Sequence, residues 1–298
     1  MPINPVWPKP YKYLVDPRLV HPGQRWVWHT KPRFVLPAWE DARPGTAQRY
    51  RRLRYGRGSQ HDWRLNTSAS TIRTRFGPAI SIPTTDGAEL EGANSLPIVF
   101  FNNESYTIAL LLKGRSGGAS TKHLYRSGAS STDDHILWLA SGVTPNLRHD
   151  SNTGTVTITS SVSITNDTAW HTLVATWRPR RLELYVDGIS RANSTAANTN
   201  TSDAFGIYRW GWGFSTNQDF NGDIALILCC GACWTGHMVR RWHSDPFGFL
   251  RPWNEVPALM GSAPPTTPPL DRHRRGHLPQ GVASHWCQLA EIPAKSGH

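Results

Sequence analysis

The chain, 298 residues long, is predicted to be all-β, and three observations carry that reading. Leu173, Ala175 and Trp177 alternate along residues 170–177, and Leu182, Leu184 and Val186 repeat the pattern along 182–188. Period-two spacing of this kind marks strands with one buried face, and Asp187-Gly188 supplies a tight turn after the second of them. Further short apolar segments are separated by stretches rich in Ser, Thr, Asn and Gly, the residues of turns. Composition agrees. Aromatic residues make up 10% with 14 Trp, and charged residues 18%, which fits neither a disordered chain nor a helical bundle.

Residues 1–64 form a predicted extended arm. Proline at positions 2, 5, 8, 10, 17, 22, 32, 37 and 44 blocks helix interiors and central strands, leaving extended or polyproline-like backbone. Trp7, Tyr11, Tyr13, Trp26, Trp28, Phe34 and Trp39 are interleaved with it. An extended segment with so many large apolar groups is expected to lie in a groove, on its own domain or on a neighbour, whereas a flexible linker would be Gly/Ser-rich. Residues 49–57 then form the densest basic run in the chain. Trp7, Trp26, Trp28, Trp39, Arg49, Arg51, Arg52 and Arg54 are the candidate partner-binding residues of this arm.

Charge follows the same division. The formal net charge is +11, but residues 1–64 hold 13 Lys and Arg against four acids, while residues 65–253 hold 15 against 14. Residues 254–298 hold four against three. The central domain is therefore nearly neutral, and the excess on the arm points to a partner surface. Arg and Tyr interleaved at 49–57 are able to contact phosphates and stack on bases. Contact with an acidic protein surface is the preferred reading, because no nucleic-acid motif surrounds the run.

The domain is expected to span residues 65–253. Segments over 106–113, 123–127, 135–140 and 155–160 fit strands, followed by the hairpin. Residues 204–214 and 219–228 supply the last strands. Thr235 is placed to cap a short helix carrying Met238, Val239 and Trp242, ended by Asp245-Pro246. After Trp253 a Pro-rich linker at 264–269 leads to a C-terminal tail with a basic patch at 271–277 and a small apolar anchor, Trp286 and Leu289.

The order Trp170-His171, a β-rich run, then Tyr185-Val186-Asp187-Gly188 resembles the most recognisable hairpin of laminin-G-like, concanavalin A-like jelly rolls. Residues 75–90 resemble the opening strands of that fold, and Asn221-Gly222-Asp223-Ile224-Ala225 its Gly-x-Ile-x segment. The run Pro246-Phe247-Gly248-Phe249-Leu250 resembles the end of such domains in bacteriophage-encoded proteins. The resemblance implies a jelly-roll sandwich with one short C-terminal helix, flanked by extended N- and C-terminal arms.

Enzymatic members of that superfamily carry Glu-x-Asp-x-x-Glu on one strand, since glycoside hydrolysis needs an acid and a second carboxylate about 5 Å away. No such set is present, and Glu89-Leu90-Glu91 reads as solvated turn carboxylates. Neither a Gly-x-Ser-x-Gly elbow nor a phosphate loop occurs, and no catalytic residue is assigned. Cys229, Cys230 and Cys233 read as small buried hydrophobes, because adjacent cysteines on a strand face opposite ways. His273, His277, His285 and Cys287 match no familiar zinc spacing, so no metal site is assigned. Lectins of this fold bind sugars through loop aromatics and calcium. Trp210 and Trp212 are the candidate glycan-stacking residues, although core filling is preferred for both, and Asp133, Asp134, Asn217, Asp219 and Asp223 are the candidate Ca2+ oxygens.

No apolar run approaches the roughly 20 residues that span a bilayer. Residues 1–8 lack a charged stretch leading into an apolar one, so a secretory signal is not expected. The combined expectation is a structural virion protein made in the host cytoplasm. In it, a capsid decoration or accessory protein anchors through its arms to the major capsid protein or to copies of itself. The alternative is a carbohydrate-binding adhesion module of a head or tail fibre that touches host-surface glycan. A glycan hydrolase ranks third, and neither nucleic acid nor membrane is an expected partner.

Overall fold

The computed structural model describes residues 22–37, 63–66, 68–83, 89–92, 98–100, 104–115, 120–126, 135–151, 154–164, 169–195, 205–207, 209–211, 213 and 218–250. All of them lie in the first of two compact units, Met1–Val256. Among the sequence-derived candidates, Trp7, Trp39, Arg49, Arg51, Arg52, Arg54, Trp212, Asp133, Asp134, Asn217 and the whole C-terminal tail lie outside the described residues.

Strands β1 (Pro32–Pro37), β2 (Trp63–Asn66), β3 (Ser70–Thr74), β4 (Gly77–Ile82), β5 (Glu89–Gly92) and β6 (Ile98–Phe100) precede the central strand β7 (Tyr106–Gly114). Then come β8 (Lys122–Arg126), β9 (Ile136–Ala140), β10 (Thr144–Ser151) and β11 (Gly154–Thr159), and the consecutive strands β12 (His171–Arg178), β13 (Arg181–Val186) and β14 (Ile189–Ser194). Strands β15 (Phe205–Ile207), β16 (Arg209–Trp210) and β17 (Gly222–Cys230) complete the set. One sheet runs β14-β13-β12-β7-β17-β4-β3, with β1 also on β17. The other runs β11-β10-β9-β8-β16-β5-β2, and β15 pairs with β6 apart from both. The named pairs are antiparallel. Two packed antiparallel sheets are the jelly-roll sandwich that the resemblance implied.

The first sheet is buried on both faces. Leu173, Ala175, Trp177, Leu182, Leu184 and Val186 enter the core between the sheets, as their spacing predicts, together with Ile108, Leu110, Ile224 and Ile227. The opposite face carries a second core: Ala109, Leu111, Val174, Tyr185, Ala225, Leu226 and Leu228, roofed by Trp234, Val239, Trp242, Phe247 and Phe249. The single buried face expected for the hairpin is thus corrected to two. The roof is helical: α1 (Trp26–His29) comes from the arm, and α2 (Gly236–Ser244) starts at Thr235, whose hydroxyl accepts from the Met238 N–H at 3.4 Å. A β-bulge between Ile224 and Leu226 lets β17 serve both cores, placing Ala225 and Leu226 together on the outer face.

The arm is not wholly separate from the domain. Strand β4 pairs with β17 only at Gly222, Asp223 and Ile224. Along the rest of that edge β1 takes over, from Pro37 opposite Leu226 to Pro32 opposite Cys230. An unpaired strand edge is a liability, and the arm covers this one. Arg33 forms an ion pair with Glu104. Trp26 packs edge-on against Trp234 at 5.0 Å, and Trp28 donates to the Phe249 carbonyl at 2.9 Å. Trp26 and Trp28, expected to engage a partner, are therefore spent on their own domain.

Three further expectations change. Residues 75–82 and 85–90 do not form a strand pair: Arg75 and Phe76 sit in the β3–β4 turn, and β5 joins the other sheet. Residues 204–214 are divided between β15 and β16, which pair in different sheets, with Gly211 at φ +83 just beyond. Glu89 and Glu91 lie on β5 rather than at a turn, with Glu91 in register with Arg64 and Arg209.

Candidate functional cleft

The second core stops short of one end of the first sheet, and the outward-facing residues change there from apolar to polar. On β7 the change is from Ala109 and Leu111 to Lys113, and on β17 from Leu226 and Ala225 to Asp223. The register aligns these residues in a row. Lys113 stands opposite Asp223, Asp223 opposite Ser81 and Ser81 opposite Ser70. Trp170, one residue before the pair His171–Leu112, continues the row beside Lys113. Gly222 sits where a Cβ would come within 2.3 Å of the Lys113 carbonyl, so a larger residue would push β7 and β17 apart at this row.

Three members of this row, Asp223, Lys113 and Trp170, line an open cleft of about 560 Å³ together with Ile72, Arg73, Thr74, Arg75 and Ala169. The Trp170 ring is half-buried and meets Phe76 edge-on at 5.5 Å and 85°. Phe76 belongs to the β3–β4 turn, and the guanidinium of Arg75 lies 4.7 Å from its ring centroid. Asp223, the one carboxylate among the described lining residues, is buried and ion-paired with Arg115, which also donates to the Ser81 hydroxyl at 2.7 Å. Arg73 and Lys113 have no ion-pair partner among the described residues. Chemically, the cleft offers an aromatic face and an excess of cationic donors.

The hairpin beside the cleft is tied by its polar residues. Asp187, at φ 52 in the β13–β14 turn with Gly188 at φ 75, accepts from the Thr172 N–H at 3.0 Å and is 2.8 Å from His171 Nδ1. Burial works against its ionisation, yet these hydrogen bonds prevail and hold the carboxyl below its usual range. Thr172 Oγ1 lies 2.7 Å from His243 Nδ1, which pins α2 to the same strand. The Trp-His and Asp-Gly pairs are thus structural, apart from Trp170 itself.

Trp210, the described glycan candidate, is fully buried between the sheets and meets Tyr125 edge-on at 5.6 Å. A ring enclosed in this way has no face for a sugar, and core filling is what the structure shows. Asp219 is buried and accepts from the Gly213 N–H at 2.7 Å. Cys229 enters the inner core and Cys230 the outer one, so the two cannot share a ligand. Burial pushes the Cys230 thiol up to about 12, so it stays protonated. Sequence reasoning missed Arg73, Arg75, Lys113 and Trp170 as a group. The signal was faint: two arginines two apart, ahead of a turn.

Residues 83–227 match the laminin-G-type family model described as the Concanavalin A-like lectin/glucanases superfamily. No curated protein matches the sequence. Among solved structures, the binding domain of Paraclostridial Mosquitocidal Protein 1 superposes with a TM-score of 0.53 at 13% identity, covering 73% of this chain and 52% of that one. The Botulinum Neurotoxin serotype G binding domain does so with a TM-score of 0.50 at 10% identity, covering 72% and 51%. The chain thus spans about half the length of each structure. Family match, paired antiparallel sheets and solved folds agree that this chain carries a concanavalin A-like, laminin-G-like jelly-roll domain.

Proposed function

We propose that the domain is a saccharide-binding module and that the cleft on the outer face of its first sheet is the binding site. The observation that carries the reading is Trp170, held edge-on by Phe76 beside the polar lining residues Lys113, Asp223 and Thr74. A sugar ring has an apolar C–H face and a rim of hydroxyls, which matches an aromatic plane next to hydrogen-bonding side chains. About 560 Å³ is within the range of small-ligand sites. The two solved folds are both binding domains, and the same use of the scaffold is inferred here. Binding without turnover is the reading for this cleft: hydrolysis calls for two carboxylates, and the described lining supplies one, neutralised by Arg115.

The test is a glycan array and titration calorimetry on the full chain, comparing wild type with Trp170→Ala and Lys113→Gln. Binding weakened at least about tenfold in either variant, about 1.4 kcal/mol, with an unchanged circular dichroism spectrum, is expected. No bound glycan, or binding untouched by both changes, would overturn the reading. Trp210→Ala is not a test of it, because emptying that core site costs about 3–5 kcal/mol of stability.

A second reading, assembly into a virus particle, is supported by the Pro- and aromatic-rich, basic sequence of residues 1–21 and 38–62. The docking of residues 22–37 narrows it to those two segments of the arm. In this reading the protein is made in a host cytoplasm and joins a virion through the remaining arm residues. Saccharide binding by the domain is compatible with it.

A further inference from the structure

We infer that the saccharide taken by this cleft is acidic, carrying a carboxylate or a sulfate. This rests on the saccharide reading above and deepens it. The domain is nearly neutral, with 15 Lys and Arg against 14 acids over residues 65–253. Three of those cations, Arg73, Arg75 and Lys113, nonetheless converge on one cleft. Its one described carboxylate, Asp223, is already matched by a fourth cation, Arg115. The local excess is therefore positional and not a result of composition.

The placement of the cations fits a bidentate anion. Arg73 closes the exposed side of β3, and Arg75 follows it by two residues in the β3–β4 turn. The Arg75 guanidinium lies 4.7 Å from the Phe76 ring, which in turn meets Trp170, and Arg75 and Trp170 both line the cleft. A sugar stacked on Trp170 would hold an exocyclic carboxylate or sulfate toward these forks, which match planar, two-oxygen acceptors. Lys113, on the floor of the row, adds a point charge on the other side. Like charges gathered without counter-charge repel one another, and an anionic ligand relieves that repulsion.

The experiment is calorimetric titration of the full chain at about 150 mM salt, where the Debye length is about 8 Å. Four short probes are compared: a galacturonate tetramer, a sulfated heparin-type tetrasaccharide, neutral cellotetraose and a single-stranded oligonucleotide of similar charge. The expected result is at least tenfold tighter binding of one acidic saccharide than of cellotetraose. Which of the two binds tighter identifies the anion. The double variant Arg73→Gln/Arg75→Gln should reduce the acidic probe to the level of the neutral one. Since the arm carries its own excess of cations, 13 Lys and Arg against four acids, the double variant separates the cleft from non-specific attraction. An acidic probe still bound tightly by that variant overturns the inference. Cellotetraose bound as tightly as either acidic probe also overturns it, while the saccharide reading stands. No saccharide bound at all, or an oligonucleotide bound tightest and lost in the double variant, overturns both.

Discussion

His149 is buried, stacked 4.6 Å from Trp177 and edge-on 4.5 Å from His135, and its Nδ1 is hydrogen-bonded to the Tyr106 hydroxyl at 3.1 Å. Burial keeps the Tyr106 phenol protonated far above its ordinary range. Burial, with the charge of His135 added, pushes His149 down to about 2. Burial, with Arg148 added, pushes His135 down to about 3. The unfolded chain takes up these protons below about pH 6.5, while the folded chain does not. Stability is therefore complete above that pH and falls as pH drops toward 3, by up to about 1.4 kcal/mol per pH unit for each histidine. Urea midpoints at pH 7, 6 and 5, where most carboxylates stay ionised, should fall stepwise, and His149→Gln should lessen the slope. A midpoint constant from pH 7 to 5 refutes this. At the same scale, Asp187 adds stability above its unfolded pKa that is lost as pH falls through its depressed folded one.

Among the elements, β1 was the least legible. Pro-Arg-Phe-Val-Leu-Pro reads as arm, since a proline at either end argues against a central strand. It forms because β17 leaves an edge open beyond Ile224, where a proline-bounded strand is tolerated. Removing residues 1–37 uncovers that edge along with the sites of Val27 and Val35, both nearly fully buried. The expected loss is on the order of 5 kcal/mol, counting those side chains and the two tryptophans that pack beside them. Removing residues 1–21 should leave the thermal midpoint within a few degrees of the full chain. Equal midpoints for the two truncations would refute a structural role for β1. Strand β10 was absent from the expected strands, and it contains Pro145. Its carbonyl accepts from the Ser160 N–H at 2.8 Å just past the end of β11, where no ladder bond is lost. The helix α2 was legible down to its Thr235 cap and Asp245 terminus, since capping is local chemistry.

At the scale of the whole molecule, the arm divides by function. Residues 22–37 belong to the fold, and the basic run at 49–57 lies outside the described residues. The particle reading therefore predicts that a chain lacking residues 1–21 stays folded but fails to enter assembled particles, measured by its abundance in purified virions. Undiminished incorporation of that chain, and of a second one with Arg49, Arg51, Arg52 and Arg54 changed to Gln, would sink it.

The sequence by itself determined the all-β class, the inward positions of the 170–188 hairpin, the capped helix and the near-neutral domain. Each of these rests on period, turn chemistry or composition, which act over a few residues. Only the tertiary structure decided that the first sheet is buried on both faces, that Trp26 and Trp28 serve their own domain, and that Trp210 is core. It alone assembled the cleft, because Arg73, Lys113, Trp170 and Asp223 come from four distant parts of the chain. Strand register and a one-residue bulge set Asp223, Lys113 and Trp170 in one row with Arg73 beside it, and neither is written in any local stretch of sequence.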